Sequence, residues 1–214
     1  MVDSRSSQTS TVFLIDDDED VRTSLSRALN KRGFLVRTFE DARQFLDAFD
    51  PSYLGCLVLD YGLPQMDGLK LQKVLAEKNI NIPIIFISGH GGVPETVQAM
   101  KAGAVDFLEK PFRQKVLVDC INAAFLADRE KRTEESHRIS ALQRFAKLTL
   151  REKEVANFMI ANPSSTSSKE IGRELDISPR TVDHHRARIL EKMDIGSVAE
   201  LIDLAIPHAD RADS

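Results

Sequence analysis

The sequence predicts a doubly wound α/β domain over its first half, an all-helical domain over its last third, and a helical connection between them. Two patterns and an interruption carry that expectation. From Val12 to about 128, short apolar runs alternate five times with amphipathic stretches, as in a parallel sheet covered on both faces. From Leu148 to about 206 only short helical patterns remain. Between them, 121–147 carries many charges and has neither proline nor glycine, which suits one continuous helix.

The strands are expected at 12–16, 34–38, 55–60, 82–88 and 104–108. Helices fill the gaps at about 20–31 (ended by Gly33), 40–49 (ended by Pro51), 68–77, 94–101 (ended by Gly103) and from 112 onward. Right-handed crossovers would bring the carboxyl ends of strands one, three and five to one edge, beside the topological switch point. In the second half, Thr149 and Glu152 form a capping box, 169–175 reads as a helix, and Ser178-Pro179 opens another with an N-cap serine and proline at N1. A helix, a tight turn and a second helix of these lengths fit a helix-turn-helix. The divisions expected are an extension at 1–11, the α/β domain at 12–126, a helical linker at 127–147, the helical domain at 148–207 and a tail at 208–214.

The chain has 214 residues and a net charge of -4, so no overall basic field draws it to nucleic acid, and any such binding must be local. Cys56 and Cys120 lie in apolar contexts, and two thiols of that kind in a chain with no secretory leader suit a reduced, intracellular protein. No apolar run approaches the ~20 residues of a membrane span. The polar, serine-rich 1–11 stretch reads as a disordered extension rather than a targeting signal.

Chemistry concentrates at the predicted strand ends. The first strand runs into Asp16, Asp17 and Asp18; the third ends at Asp60 before Gly62-Leu63-Pro64; the fourth ends at Ser88; the fifth leads to Lys110-Pro111. Adjacent carboxylates suit Mg²⁺, which takes a few carboxylate oxygens and keeps water, and a lysine beside them is a compact point charge. Taken singly, each has a plainer reading: the acids at 16–20 cap a helix, Asp60 is a turn residue, and Lys110-Pro111 is an ordinary strand end. Their conjunction, in order on three strand ends, argues for a site. Gly89-His90-Gly91-Gly92 lacks the P-loop and dinucleotide patterns and reads as a loop carrying Ser88.

On a helical wheel of 181–193, Val182, Ile189 and Met193 cluster on one side. Arg180, His184, Ala187, Arg188 and Glu191 cluster on the other, so one face packs and the other can enter a groove. Arg188 is a candidate for guanine contact, His184 and Asp183 for base edges, and Lys169, Arg180, Thr181 and His185 for phosphates. Within 178–193 four cations (Arg180, Arg186, Arg188, Lys192) stand against two acids (Asp183, Glu191), so a single copy should bind weakly. Two copies on paired half-sites would gain from effective concentration.

Residues 12–128 resemble a two-component receiver domain, with a flavodoxin-like (βα)5 fold, and 148–206 resemble a four-helix LuxR-type helix-turn-helix domain. The second resemblance is carried by Leu148-Thr149-Leu150-Arg151-Glu152, Lys169-Glu170-Ile171 and Ser178-Pro179-Arg180-Thr181-Val182. Together they resemble FixJ/NarL-family response regulators, and the Gly-His-Gly-Gly-Val-Pro loop makes FixJ-like members the nearest match. The resemblance implies that Asp60 accepts a phosphoryl group from a sensor histidine kinase. It implies that Asp17, Asp60 and the Gly62 carbonyl bind Mg²⁺ directly and Asp16 through water, with Lys110 on the phosphoryl oxygens behind a cis-proline junction. His90 and Gly62 would gate water at the phosphoaspartate. Ser88 and Phe107 would be switch residues resetting the 93–108 face, favouring a homodimer there. Promoter DNA, and RNA polymerase as a further contact, would be partners of a cytoplasmic, non-membrane, non-enzymatic regulator. The loop at 163–168 departs from the family by about three extra residues. A doubly wound phosphatase would need a second acid where Gly62 stands. A phosphorylation-independent DNA-binding dimer with a vestigial receiver remains the alternative.

Overall fold

The computed structural model describes residues 10–89 and 92–205. Expectations for 1–9, for His90 and Gly91, and for the 208–214 tail lie outside the described residues. The chain divides into two compact units, one ending at Arg132 and the other beginning at Thr133.

In the first unit five strands alternate with helices: β1 (Thr11–Ile15), α1 (Glu19–Asn30), β2 (Leu35–Phe39), α2 (Ala42–Ala48), β3 (Gly55–Asp60), α3 (Gly68–Glu77), β4 (Ile84–Ser88), α4 (Val93–Lys101) and β5 (Asp106–Glu109). A long helix, α5 (Gln114–Ala146), follows. The strands are all parallel in the order β2-β1-β3-β4-β5. The last two strands start two residues later than the apolar pattern suggests, because the ladder begins only where β4 meets Leu57 and β5 meets Ile85.

Period-2 alternation sorts the sheet's side chains between two cores. Phe13, Ile15, Leu57, Leu59 and Phe86 face α2, α3 and α4, whereas Val12, Leu14, Cys56, Val58, Ile85 and Ile87 face α1 and α5. Every residue of β1, β3 and β4 is buried, which explains why these strands read as unbroken apolar runs. Sequence reasoning missed one tie at the opposite end of the sheet. Buried Asp128 on α5 accepts the Gly55 N–H at 3.0 Å and pairs with Arg132 at 2.9 Å, whose other nitrogens reach the Pro51 and Tyr53 carbonyls. In the sequence these two residues vanish into a charge run.

The second unit holds the end of α5 with α6 (Leu150–Ala161), α7 (Ser168–Glu174), α8 (Pro179–Met193) and α9 (Val198–Ala205). Val155, Ala156, Met159, Ile171, Val182, Ile189, Met193 and Leu201 form its core. Of the apolar residues near the end of α5, Phe145 packs on this core, while Ile139 and Leu142 are exposed. The turn between α7 and α8 needs glycine at 172: a Cβ there would lie 2.6 Å from the Ile177 carbonyl.

Candidate functional site

The carboxyl ends of β1, β3 and β5 bring Asp16, Asp60 and Lys110 into contact. Lys110 Nζ donates to Asp16 Oδ2 and to Asp60 Oδ1, both at 2.7 Å. Parallel pairing in register explains the meeting, since Ile15 lies opposite Leu59, and the next residue on each chain is Asp16, just past β1, and Asp60, the last of β3. The peptide before Pro111 is cis. The remaining oxygens are also held: Asp16 Oδ1 accepts the Asp18 N–H at 3.0 Å and Asp60 Oδ2 accepts the Gly62 N–H at 2.7 Å. Gly68 lets α3 begin close by, because a Cβ there would lie 2.6 Å from the Phe86 ring.

Asp16 is almost fully buried. Burial raises its carboxyl above the ordinary value, outweighing the Lys110 hydrogen bond, and the Asp60 charge adds to the rise. Burial also opposes the charged form of Lys110, but hydrogen bonds to Asp16 and Asp60 prevail and raise it. One ammonium therefore serves two carboxylates at a strand end where Asp17 adds a third, leaving excess negative charge.

That excess is the chemistry a divalent cation answers, and the donors are hard oxygens. Among the described residues no three acids, histidines or cysteines converge to hold an ion by themselves. An ion here would lean on a main-chain carbonyl and water, which is how Mg²⁺ binds. Asp16, Asp60 and the Gly62 backbone fit such a set. Asp17 is not brought into the Lys110 network; it is exposed and lines a cleft with Leu63, Pro64 and Met66.

The plainer reading of the acidic run holds for Asp18, which caps α1 by accepting the Asp20 and Val21 N–H groups. Ser88 is buried at the end of β4, opposite Glu109, and its carbonyl accepts the Lys110 N–H at 2.7 Å. Phe107 is half-buried, its ring 6.0 Å from Phe86 and 5.9 Å from Tyr61.

In the second unit α8 buries Val182, Ile189 and Met193 and exposes Arg180, His184, Ala187, Arg188 and Glu191. Ser178 caps it, and the Thr181 hydroxyl lies 2.8 Å from that of Ser178, so Thr181 serves the cap. Lys169 is exposed and His185 half-buried. Asp183 accepts from Ser168, and Arg186 donates to the Thr166 carbonyl at 3.1 Å and to Ser168 at 3.3 Å, so both residues tie the long 163–168 loop to α8. Lys192 is taken by buried Glu152 at 2.6 Å. Of the four cations counted on this segment, Arg180 and Arg188 thus remain on the outer face, with Arg188 paired to Glu191 at 3.0 Å.

Two families match. Residues 12–122 match the response regulator receiver domain, and 146–205 match the bacterial regulatory proteins of the luxR family. Among curated proteins, the transcriptional regulatory protein TdiR of Thauera aromatica is 42% identical, over 90% of this chain and 84% of its own. The transcriptional regulatory protein FixJ of Bradyrhizobium diazoefficiens is 41% identical, over 91% and 94% respectively. Among solved structures, the response regulator StyR superposes with a TM-score of 0.76 at 41% identity, covering 92% of this chain and 98% of that one. Full-length FixJ from B. japonicum gives 0.57 at 41% identity, covering 92% and 95%.

Proposed function

From the premise that this chain belongs to the response regulators, transcriptional regulators joining a receiver to a LuxR-type helix-turn-helix domain, we propose that phosphoryl transfer to Asp60 switches its binding to promoter DNA. The observation that carries this reading is the bridge from Lys110 to Asp16 and Asp60 at 2.7 Å, which puts one cation against the acceptor carboxylate. In the transfer, the P–N bond to a kinase histidine breaks as a P–O bond to an Asp60 oxygen forms. Lys110 exchanges the carboxylate for the phosphoryl oxygens, which carry nearly two negative charges. Asp17, Asp60 and the Gly62 carbonyl would hold Mg²⁺ directly and Asp16 through water; when bound, the ion screens the charge of the incoming group.

Ser88 then donates its hydroxyl to the phosphoryl group, and Phe107, which already rests against Tyr61 and Phe86, turns inward in response, a bistable element biased by a new charge-assisted hydrogen bond. Exposed Val93, Val97 and Met100 on α4 support a dimer formed on the 93–108 face. Two α8 helices then read paired half-sites through Arg188, His184 and Asp183, with Lys169, Arg180, Thr181 and His185 toward the phosphates. The protein acts in the cytoplasm, where kinase, promoter and RNA polymerase meet it; among the described residues no helix is long and apolar enough to cross a membrane.

The test is incubation with Mg²⁺ and acetyl phosphate beside Asp60→Asn, followed by intact mass and light scattering. Phosphoryl uptake lost in the variant, with a shift from monomer to dimer, is expected. No uptake from acetyl phosphate or from a cognate kinase, with DNA affinity indifferent to Asp60→Asn, would instead establish a phosphorylation-independent DNA-binding protein.

A further inference from the structure

Arg22, on the first turns of α1, is half-buried and sends its guanidinium back to the acidic turn. Its Nη1 donates to the main-chain oxygen of Asp16 at 2.7 Å. Five consecutive acids, Asp16 to Asp20, surround that oxygen in sequence, yet among the described residues Arg22 forms an ion pair with none of them. The cation is used to hold backbone rather than to neutralise a carboxylate.

The oxygen it holds belongs to the peptide joining Asp16 to Asp17. A planar peptide fixed at its oxygen fixes the plane from which the next residue departs. Both neighbours of Asp17 are tied independently: Asp16 by Lys110 and by the Asp18 N–H, Asp18 by its cap on α1. Of Asp16, Asp17 and Asp18, only Asp17 presents an exposed carboxylate with no hydrogen bond among the described residues.

The geometry points to Arg22 as a positioning residue for the divalent-ion site: it sets the Asp16–Asp17 peptide so that the Asp17 carboxylate meets the ion, and stays off the carboxylates the ion needs. This rests on the reading of Asp16, Asp17 and Asp60 as that site. Groups that orient metal ligands from behind typically carry a ~10- to 100-fold effect on affinity when removed.

Sign separates this role from a charge effect. Arg22→Met removes a positive charge from an ion site, so a purely electrostatic Arg22 predicts tighter binding, whereas a positioning Arg22 predicts weaker. The experiment is calorimetric titration of the full-length protein with Mg²⁺, no phosphodonor present, together with thermal unfolding in EDTA. Arg22→Met is expected to bind Mg²⁺ about 10-fold more weakly, and saturating Mg²⁺ is expected to restore its rate of uptake from acetyl phosphate. Equal or tighter binding overturns the inference. If the EDTA melt shows that Arg22→Met does not fold, Arg22→Gln, neutral and too short to reach the carbonyl, is read the same way. Unchanged affinity in a variant whose uptake still depends on Asp60 removes the role of Arg22 alone, whereas a wild-type protein that binds no Mg²⁺ removes the ion site and the inference together.

Discussion

Two buried carboxylates, Asp16 in the first unit and Glu152 in the second, each accept from a lysine at nearly the same distance, 2.7 and 2.6 Å, and their acidities move in opposite directions. Burial raises both. At Asp16 it wins, because Lys110 is shared with Asp60 and the second carboxylate repels the first. At Glu152 it loses to Lys192, which among the described residues serves no second acid, and to the backbone and hydroxyl of Thr149, so this carboxyl is held down to about 2. An ion pair whose partners are fully satisfied locks α6 to α8. One left short of positive charge leaves the carboxylates at the ends of β1 and β3 under-compensated, which is the electrostatic condition that the proposed function draws on.

Substitutions at the two sites should therefore have opposite signs. Glu152→Gln breaks a closed clamp and is expected to cost about 2–3 kcal/mol, somewhat under the value for a fully buried pair because Lys192 is one-third exposed. Urea unfolding followed through the amide spectrum of the second unit measures it. The same clamp sets a pH window. A carboxyl lowered from 4.5 to about 2 in the fold contributes stability that is complete above pH ~5 and drains away as pH falls toward 2, so the second unit should lose stability with acid across that range.

The four cations near α8 sharpen the contrast. Arg188→Ala, on the outer face, is expected to lose about 1–3 kcal/mol of DNA affinity with little change in the unfolding midpoint, read by fluorescence anisotropy beside denaturation. Asp16→Asn should stabilise the metal-free protein by about 0.5–2 kcal/mol at neutral pH, seen as a higher Tm. A carboxyl raised in the fold contributes stability below its unfolded value of 3.8 that is lost as pH rises through the folded one, so the gain should shrink in acid. A lower Tm at neutral pH would mean that Asp16 is as well satisfied as Glu152. The smallest effect is expected for Arg186→Met, about 0.5–1 kcal/mol through loosening of the 163–168 loop, measured by hydrogen exchange there.

Much of this was legible before any coordinates. Unbroken apolar runs in β1, β3 and β4 placed Asp16, Asp60 and Ser88 at strand ends, because a strand's reach and its buried faces are local properties of the chain. The wheel of α8 likewise sorted Val182, Ile189 and Met193 from Arg180, His184 and Arg188. Thr181 and Asp183 are harder to read, since a hydroxyl or carboxylate suited to DNA is equally suited to a cap or a loop tie, and the structure puts these two against Ser178 and Ser168.

By itself the sequence determined the two folds, the edge of the sheet where the acids gather and the outer face of α8, all of them consequences of periodicity and of turn chemistry that act over a few residues. Only the tertiary structure decided that Lys110 is divided between two acids, that Lys192 and Arg186 serve the fold, that Asp128 and Arg132 tie α5 to the loop before β3, and that Arg22 grips a backbone oxygen. The physical reason is that a charge takes whichever partner folding brings within about 3 Å as water is excluded, and partners up to 94 positions apart in sequence leave no periodic trace.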